Sequence, residues 1–373
     1  MLLEDASTAI IKDTKKSTVF FKGIAILLVI LVHSHQRFNL SNTQNAIQRF
    51  GQMGCQIFFV LSSFGLCHSF FKEPPSWAFH MKKRISKLLI GYWCAILIFA
   101  VYRVVLALIS HNDVLSALNI PGMIVNMLFL NGLVPVGGIN NMIVRGGWYV
   151  GTTVILYALF PLLYKIYFTS KKEWVKHRIV IFPMTVFLTT ATAVVVAGFI
   201  HPALACNNNS FVYFSFINQL TPFCLGIVLY DLVCHYNKAK FAPYGALMFA
   251  VISVILFYGE YKYSFVFCPS FAAAAFMLLY WHLSYSGRFD RVVNSSNKIV
   301  RTIYNFGKLS FPIYLTHSFV AYDFSSDCLK LMRRVCDNDL LWHLILLPIV
   351  FCLTYLVGYA FQKCIAYIKK DLQ

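Results

Sequence analysis

The chain of 373 residues is 59% hydrophobic and only 12% charged, with a mean hydropathy of +0.67. A soluble domain carries about a quarter charged residues, so this composition excludes one and specifies an integral membrane protein with many spans. The formal net charge of +18 does not signal a nucleic-acid partner, because the lysines and arginines are spread over short loops between apolar runs rather than gathered on one folded face.

The chain opens with a polar leader, residues 1–18, carrying Lys12, Lys15 and Lys16. It lacks the small-residue cleavage site of a removed signal peptide and reads as the flank of a retained signal anchor. Apolar runs follow near 19–36, 54–71, 88–109, 146–168, 179–200, 212–234, 241–258, 264–285, 303–322 and 341–366, which predicts an all-α protein with ten transmembrane helices. One further stretch, Ile124 to Val134, is about eleven residues long, too short to cross and suited to a re-entrant or interfacial segment.

The placement of basic residues supports that count. With ten crossings, the leader, the cluster Lys82, Lys83, Arg84 and Lys87, the cluster Lys171, Lys172, Lys176 and Arg178, the cluster Arg288, Arg291, Lys298 and Arg301, and the tail with Lys369 and Lys370 all fall on the cytoplasmic side. A crossing by the short segment would export the later clusters. The organisation expected is a cytoplasmic leader over 1–18, one multi-pass membrane domain over 19–368 and a cytoplasmic tail over 369–373. The cysteines lie mostly in apolar runs as small apolar side chains, no spacing resembles a metal site, and Cys328 and Cys336 are spaced to admit a disulfide.

Polar residues inside the apolar runs are the candidates for function, since ionisable groups in a membrane are costly. The first run, FFKGIAILLVILVHSH, carries Lys22 and His33 eleven residues apart, close to three helical turns. They share one face with about 16 Å between them along the axis, whereas His35 points to nearly the opposite side. An elongated anionic ligand lying along the helix suits that face. The second run, GCQIFFVLSSFGL, holds Gln56 and a pair of serines fit for close helix packing. The third opens FHMKKRISKLL, where Arg84 and Lys87 share a face and, with Lys82 and Lys83, form a basic rim suited to a phosphate group.

The fourth run begins GGWYVGTTVILYALFPLL after a glycine- and asparagine-rich stretch that reads as a lid, Pro135 to Arg145. Trp148 and Tyr149 sit where interfacial aromatics occur, and flanking a cavity they would stack on a sugar. In the ninth, SFPIYLTHSF, residues Ser310, Tyr314 and His317 line one face beside a kink-prone Pro312.

Taken together, these blocks resemble the membrane acyltransferase 3 family. KGIAILLVILVH is similar to its first helix, GCQIFFVLSSF to its second, RISK to the basic pair opening its third, GGWYVGTTVILYALFPLL to its Trp-to-Phe-Pro block, and SFPIYLTH to a late block ending in histidine. The resemblance implies a ten-helix bundle that moves acetyl or other short acyl groups from cytosolic acetyl-CoA or another acyl-CoA, without a metal, to a hydroxyl of a cell-envelope glycan or glycolipid in a bacterial cytoplasmic membrane. It implies a catalytic role for His33. Lys22, Arg84 and Lys87, with Lys83 beside them, would hold the coenzyme's phosphates.

Departures from the family pattern are Gln56 where many members have a carboxylate, Lys87 where arginine is usual, and Thr152 to Ile155 in place of a Glu/Gln-bearing segment. With no carboxylate placed to serve His33, the expected supporting residues are Gln56, orienting the imidazole, and Tyr314 or His317, bonding the oxyanion or positioning the acceptor; Trp148 and Tyr149 would bind it. The rival reading is a transporter or flippase for a glycan or lipid-linked intermediate, with the histidines relaying protons.

Overall fold

The computed structural model describes residues 2–371 except 35, 37, 73, 133–142, 169–177, 201–212, 237–238, 260–263 and 287–292, with the side chains of 2–13, 43, 46–47, 72 and 197–200 also outside the description. His35, nearly all of the expected lid, and the basic residues Lys171, Lys172, Lys176, Arg288 and Arg291 lie outside the described residues. Among the described residues all regular structure is helical.

Among the described residues, eight helices are long and apolar enough to cross a membrane. They correspond to eight of the ten expected runs. Of the other two, Ala242–Tyr258 is a helix of 17 residues, and the run at 303–322 is broken. Its first half, α12 (Lys298–Lys308), stops at Leu309; α13 (Ser310–Ser318) restarts there and passes into one π-helical stretch, Phe319–Phe324. Pro312 supplies the reason, because it has no N–H to bond the carbonyl of Lys308 four residues back. The break is therefore one turn before the proline.

The leader is not a separate element. Helix α1 runs from Leu2 to Ser34 without interruption, so its polar first half continues the axis of the apolar second half. The short apolar stretch at 124–134 does not form one straight helix. Helices α5 (Val114–Leu118) and α6 (Ile120–Met127) and a 3-10 turn, Leu130–Gly132, fold back against α4 (Trp77–Ile109) and the start of α7 (Gly147–Phe168). Asp113 caps α5, accepting from the Ser116 hydroxyl and from the backbone N–H groups of Ser116 and Leu115, which together hold its carboxyl below the usual carboxylate range. A buried amide cluster pins the fold-back. Tyr92 donates to Asn126 Oδ1 at 2.8 Å, Asn131 Nδ2 donates to the Tyr92 hydroxyl at 3.0 Å, and Asn126 Nδ2 donates to the Gly122 carbonyl at 2.7 Å. Satisfied in this way, irregular backbone is tolerated against the bundle.

The most enclosed long helix, α9 (Phe216–His235), packs on α3 (Gly54–Lys72), α8 (Arg178–Ile200) and α11 (Ser264–Tyr285). Helix α1 lies between α3 and the α12–α13 pair, and α15 (Asp339–Asp371) covers α13 from outside. Glycine sets the closest crossing. A Cβ added at Gly23 would land on the Ile303 carbonyl, and one at Gly307 on the Val19 carbonyl, so α1 and α12 touch backbone to backbone. Cys328 and Cys336 are both free thiols, not a disulfide.

Candidate functional site

Because α1 and α12–α13 meet at Gly23 and Gly307 and run on side by side, His33 and His317 arrive together. The rings of His33 and His317 are 4.9 Å apart, centroid to centroid, and tilted by 45°. His317 is fully buried. Its Nδ1 lies 2.6 Å from the Tyr314 carbonyl, which only accepts, so in the neutral ring Nδ1 carries the proton and Nε2 keeps the lone pair. That Nε2 is buried without a hydrogen-bond partner. A neutral His317 is consequently an acceptor through Nε2.

Tyr314 lies one turn before His317, with its ring 5.5 Å from the imidazole, and its hydroxyl donates to the Gly146 carbonyl at 3.0 Å. Gly146 has φ of +85°, a left-handed conformation that side chains disfavour, and a Cβ there would sit 2.9 Å from the Tyr314 hydroxyl oxygen. The glycine pair ahead of Trp148 is thus what lets the entry of α7 close on Tyr314.

A cavity of about 270 Å³ opens from this point toward the first turns of α4. Lys22 and Lys87 stand in its wall together with Ser62, Tyr149, Thr153, Tyr157, Ser310 and Tyr314. Arg84 adjoins it, with its guanidinium 6.0 Å from the ring of Tyr157 and Nη2 donating to Ser69 Oγ at 3.0 Å. Lys22, Arg84 and Lys87 are close enough to repel one another, and among the described residues no carboxylate forms an ion pair with any of them. Such an assembly of cations costs energy unless an anion sits among them. Lys83 is on the same rim but points to the exposed side and does not line the cavity.

Trp148 and Tyr149, expected together at the acceptor, are separated, and Gln56, expected to orient the imidazole, is bonded to other groups. Tyr149 lines the cavity, 5.0 Å from Tyr314 ring to ring. Its neighbour Trp148 is 5% exposed and packed among Phe59, Tyr213 and Phe214, so it is absent from the cavity wall. Gln56 is fully buried in an amide relay: its Nε2 donates to Gln219 Oε1 at 2.9 Å and its Oε1 accepts from the Tyr213 hydroxyl at 3.3 Å. Gln219 in turn donates to the Tyr213 carbonyl at 2.6 Å. That relay ties α3 to α9 and occupies both ends of the amide.

Sequence reading passed over two arginines. Arg103 interrupts the apolar run VYRVVLALI, a signal that an ionisable residue inside a span should raise. Arg145 was read as lid. Its guanidinium carbon is 3.2 Å from the centroid of the Tyr322 ring, and it reaches Asp323 at 3.7 Å, both in the π-helical stretch after His317.

Lys22, Arg84 and Lys87 thus gather beside a mainly apolar cavity within a helical membrane bundle, and the imidazole pair lies beyond Tyr314 in its wall. The chain belongs to the acyltransferase 3 family: the family profile, described as an acyltransferase domain, matches residues 20–362. It is accordingly a membrane acyltransferase. Comparison with curated proteins and with solved structures gives no match.

Proposed function

We propose that the protein transfers an acyl group, acetyl in the simplest case, from a cytosolic acyl-coenzyme A to a hydroxyl of a cell-envelope glycan or glycolipid, in a bacterial cytoplasmic membrane. The observation that carries this reading is the contact of His33 with His317 just past a cavity whose wall holds Lys22 and Lys87. Phosphates of the donor bind Arg84, Lys87 and Lys22, with Lys83 adding to the field at the rim. A cavity of this volume takes the thin arm of the donor but not its nucleotide, which stays at the mouth.

His33 acts as general base. It takes the proton of the acceptor hydroxyl as that oxygen attacks the thioester carbonyl; the new C–O bond forms, the C–S bond breaks, and the thiol leaves with the proton that His33 returns. His317, accepting through Nε2, stands in for the carboxylate that this chain lacks and orients the His33 ring. Tyr314 and Tyr149 border the acyl group. For Tyr314 to serve the oxyanion, its hydroxyl must leave the Gly146 carbonyl, so its contribution is conditional on that switch.

The test is His33→Gln, assayed for acyl transfer in membranes where the variant accumulates as folded protein. Loss of turnover with retained donor binding is expected; turnover at the wild-type rate ends the proposal. A transporter would instead move its cargo without releasing free coenzyme.

A further inference from the structure

Along α3, Phe58, Ser62, Gly65 and Ser69 follow one another at intervals of four, three and four residues, so they share a stripe about 60° wide and about 16 Å long. Contacts fix both ends of that stripe. Phe58 and Ser62 stand in the cavity wall. Ser69 donates to the Leu66 carbonyl at 2.8 Å and accepts from Arg84 Nη2 at 3.0 Å, which seats the guanidinium at the mouth. Gly65 lies between the two ends, one turn in from Ser69, on the face that spans the gap from Arg84 to the cavity.

Packing does not account for this glycine. Glycines in membrane helices ordinarily let two helices touch, and one that packs on another face of α3 does so: a Cβ at Gly226 of α9 would land on Ser63 Oγ and the Val60 carbonyl. Among the described residues, a Cβ at Gly65 would meet no other helix within 4 Å. Gly65 is exposed, although Phe64, Leu66 and Cys67 beside it are buried. Glycine is also a weaker helix former than alanine, and no close contact offsets that here.

Buried polar atoms lie at both ends of the gap. Arg84 Nε is buried without a hydrogen-bond partner at the mouth, and Thr153 Oγ1 is buried without one in the cavity wall. Buried polar atoms are ordinarily satisfied, so each end suits a polar ligand. A narrow chain with an anion at one end and amides along its length matches this order of groups.

We propose that Gly65 is a specificity-determining position for the donor: its missing side chain leaves a lane along α3 for the amide-bearing arm of the coenzyme, between the phosphates at Arg84 and the thioester in the cavity. The inference rests on the acyl-transfer reading and adds the path of the arm, with residue 65 setting the width of that path.

The experiment uses the full-length protein in native membranes, which supply the acceptor, with acetyl-coenzyme A as donor. Gly65→Ala, whose methyl enters open space, should keep the donor's KM within about twofold of wild type, whereas Gly65→Leu should raise it by about tenfold or more with kcat little changed. Both variants should keep the wild-type unfolding midpoint, since neither side chain meets another helix at Cβ. The second measurement is alkylation of the Gly65→Cys thiol by a water-soluble maleimide in inverted vesicles, read at that peptide by mass spectrometry. Saturating desulfo-coenzyme A, which has the arm but no thiol to consume the reagent, should slow alkylation by about tenfold or more, and adenosine 3′,5′-bisphosphate, which has no arm, should not. A donor KM unchanged by Gly65→Leu, or alkylation as fast with desulfo-coenzyme A as without it while the wild type turns over, would overturn this inference and leave acyl transfer intact. Failure of the wild type to release coenzyme from acetyl-coenzyme A, together with no protection of the thiol, would overturn both.

Discussion

Gly146→Ala is the substitution whose consequences the geometry determines most narrowly. At φ of +85° an alanine pays roughly 1–2 kcal/mol that glycine does not. Its Cβ would lie 2.9 Å from the hydroxyl oxygen of Tyr314, closer than real Cβ contacts come, and 3.1 Å from the adjoining ring carbon, tighter than most. Tyr314 must then turn away, which breaks its 3.0 Å bond to the Gly146 carbonyl, worth about 1 kcal/mol. The sum, about 2–3 kcal/mol, corresponds to a fall of roughly 30- to 150-fold in the population holding the native site, at 1.4 kcal/mol per decade. The assay is acyl transfer per folded molecule, paired with thermal stability in detergent. Adding Tyr314→Leu to Gly146→Ala removes the clash but not the backbone strain, so the double variant should be more stable than additivity predicts by about 1 kcal/mol. Wild-type activity and stability in Gly146→Ala alone would refute the argument that this glycine seats Tyr314.

Arg84→Gln should raise the donor's KM by about tenfold and weaken its dependence on ionic strength, measured by initial rates between low and high salt, because one charged contact to phosphate is lost. Asp231→Ala leaves Arg178 buried without its partner and should lower stability by about 3–5 kcal/mol, read from the unfolding midpoint, with Asp231→Ala/Arg178→Met recovering part of it. Tyr92→Phe deletes the hydroxyl that joins Asn126 and Asn131 and should cost about 1–3 kcal/mol by the same measurement, with Trp148→Phe acting on stability and not on the acceptor's KM.

What the amino-acid sequence determined on its own was everything that depends on helical periodicity and hydrophobic length. The ten apolar runs, the non-crossing segment after the third, the shared face of Lys22 and His33 and that of Tyr314 and His317 are all local, because 3.6 residues per turn and the thickness of a bilayer define them without reference to another helix. Tertiary structure alone decided which faces meet. The approach of α1 to α12 depends on Gly23 and Gly307 matching across two distant segments, and that match brings the His317 ring into contact with the His33 ring. The same dependence separates Trp148 from Tyr149: adjacent on α7, they diverge by about 100° around the axis, so one ring enters the aromatic core and the other the cavity. Gln56 was drawn away by Gln219 and Tyr213, and Arg145 drawn in by Tyr322 and Asp323, through contacts between residues far apart in the chain.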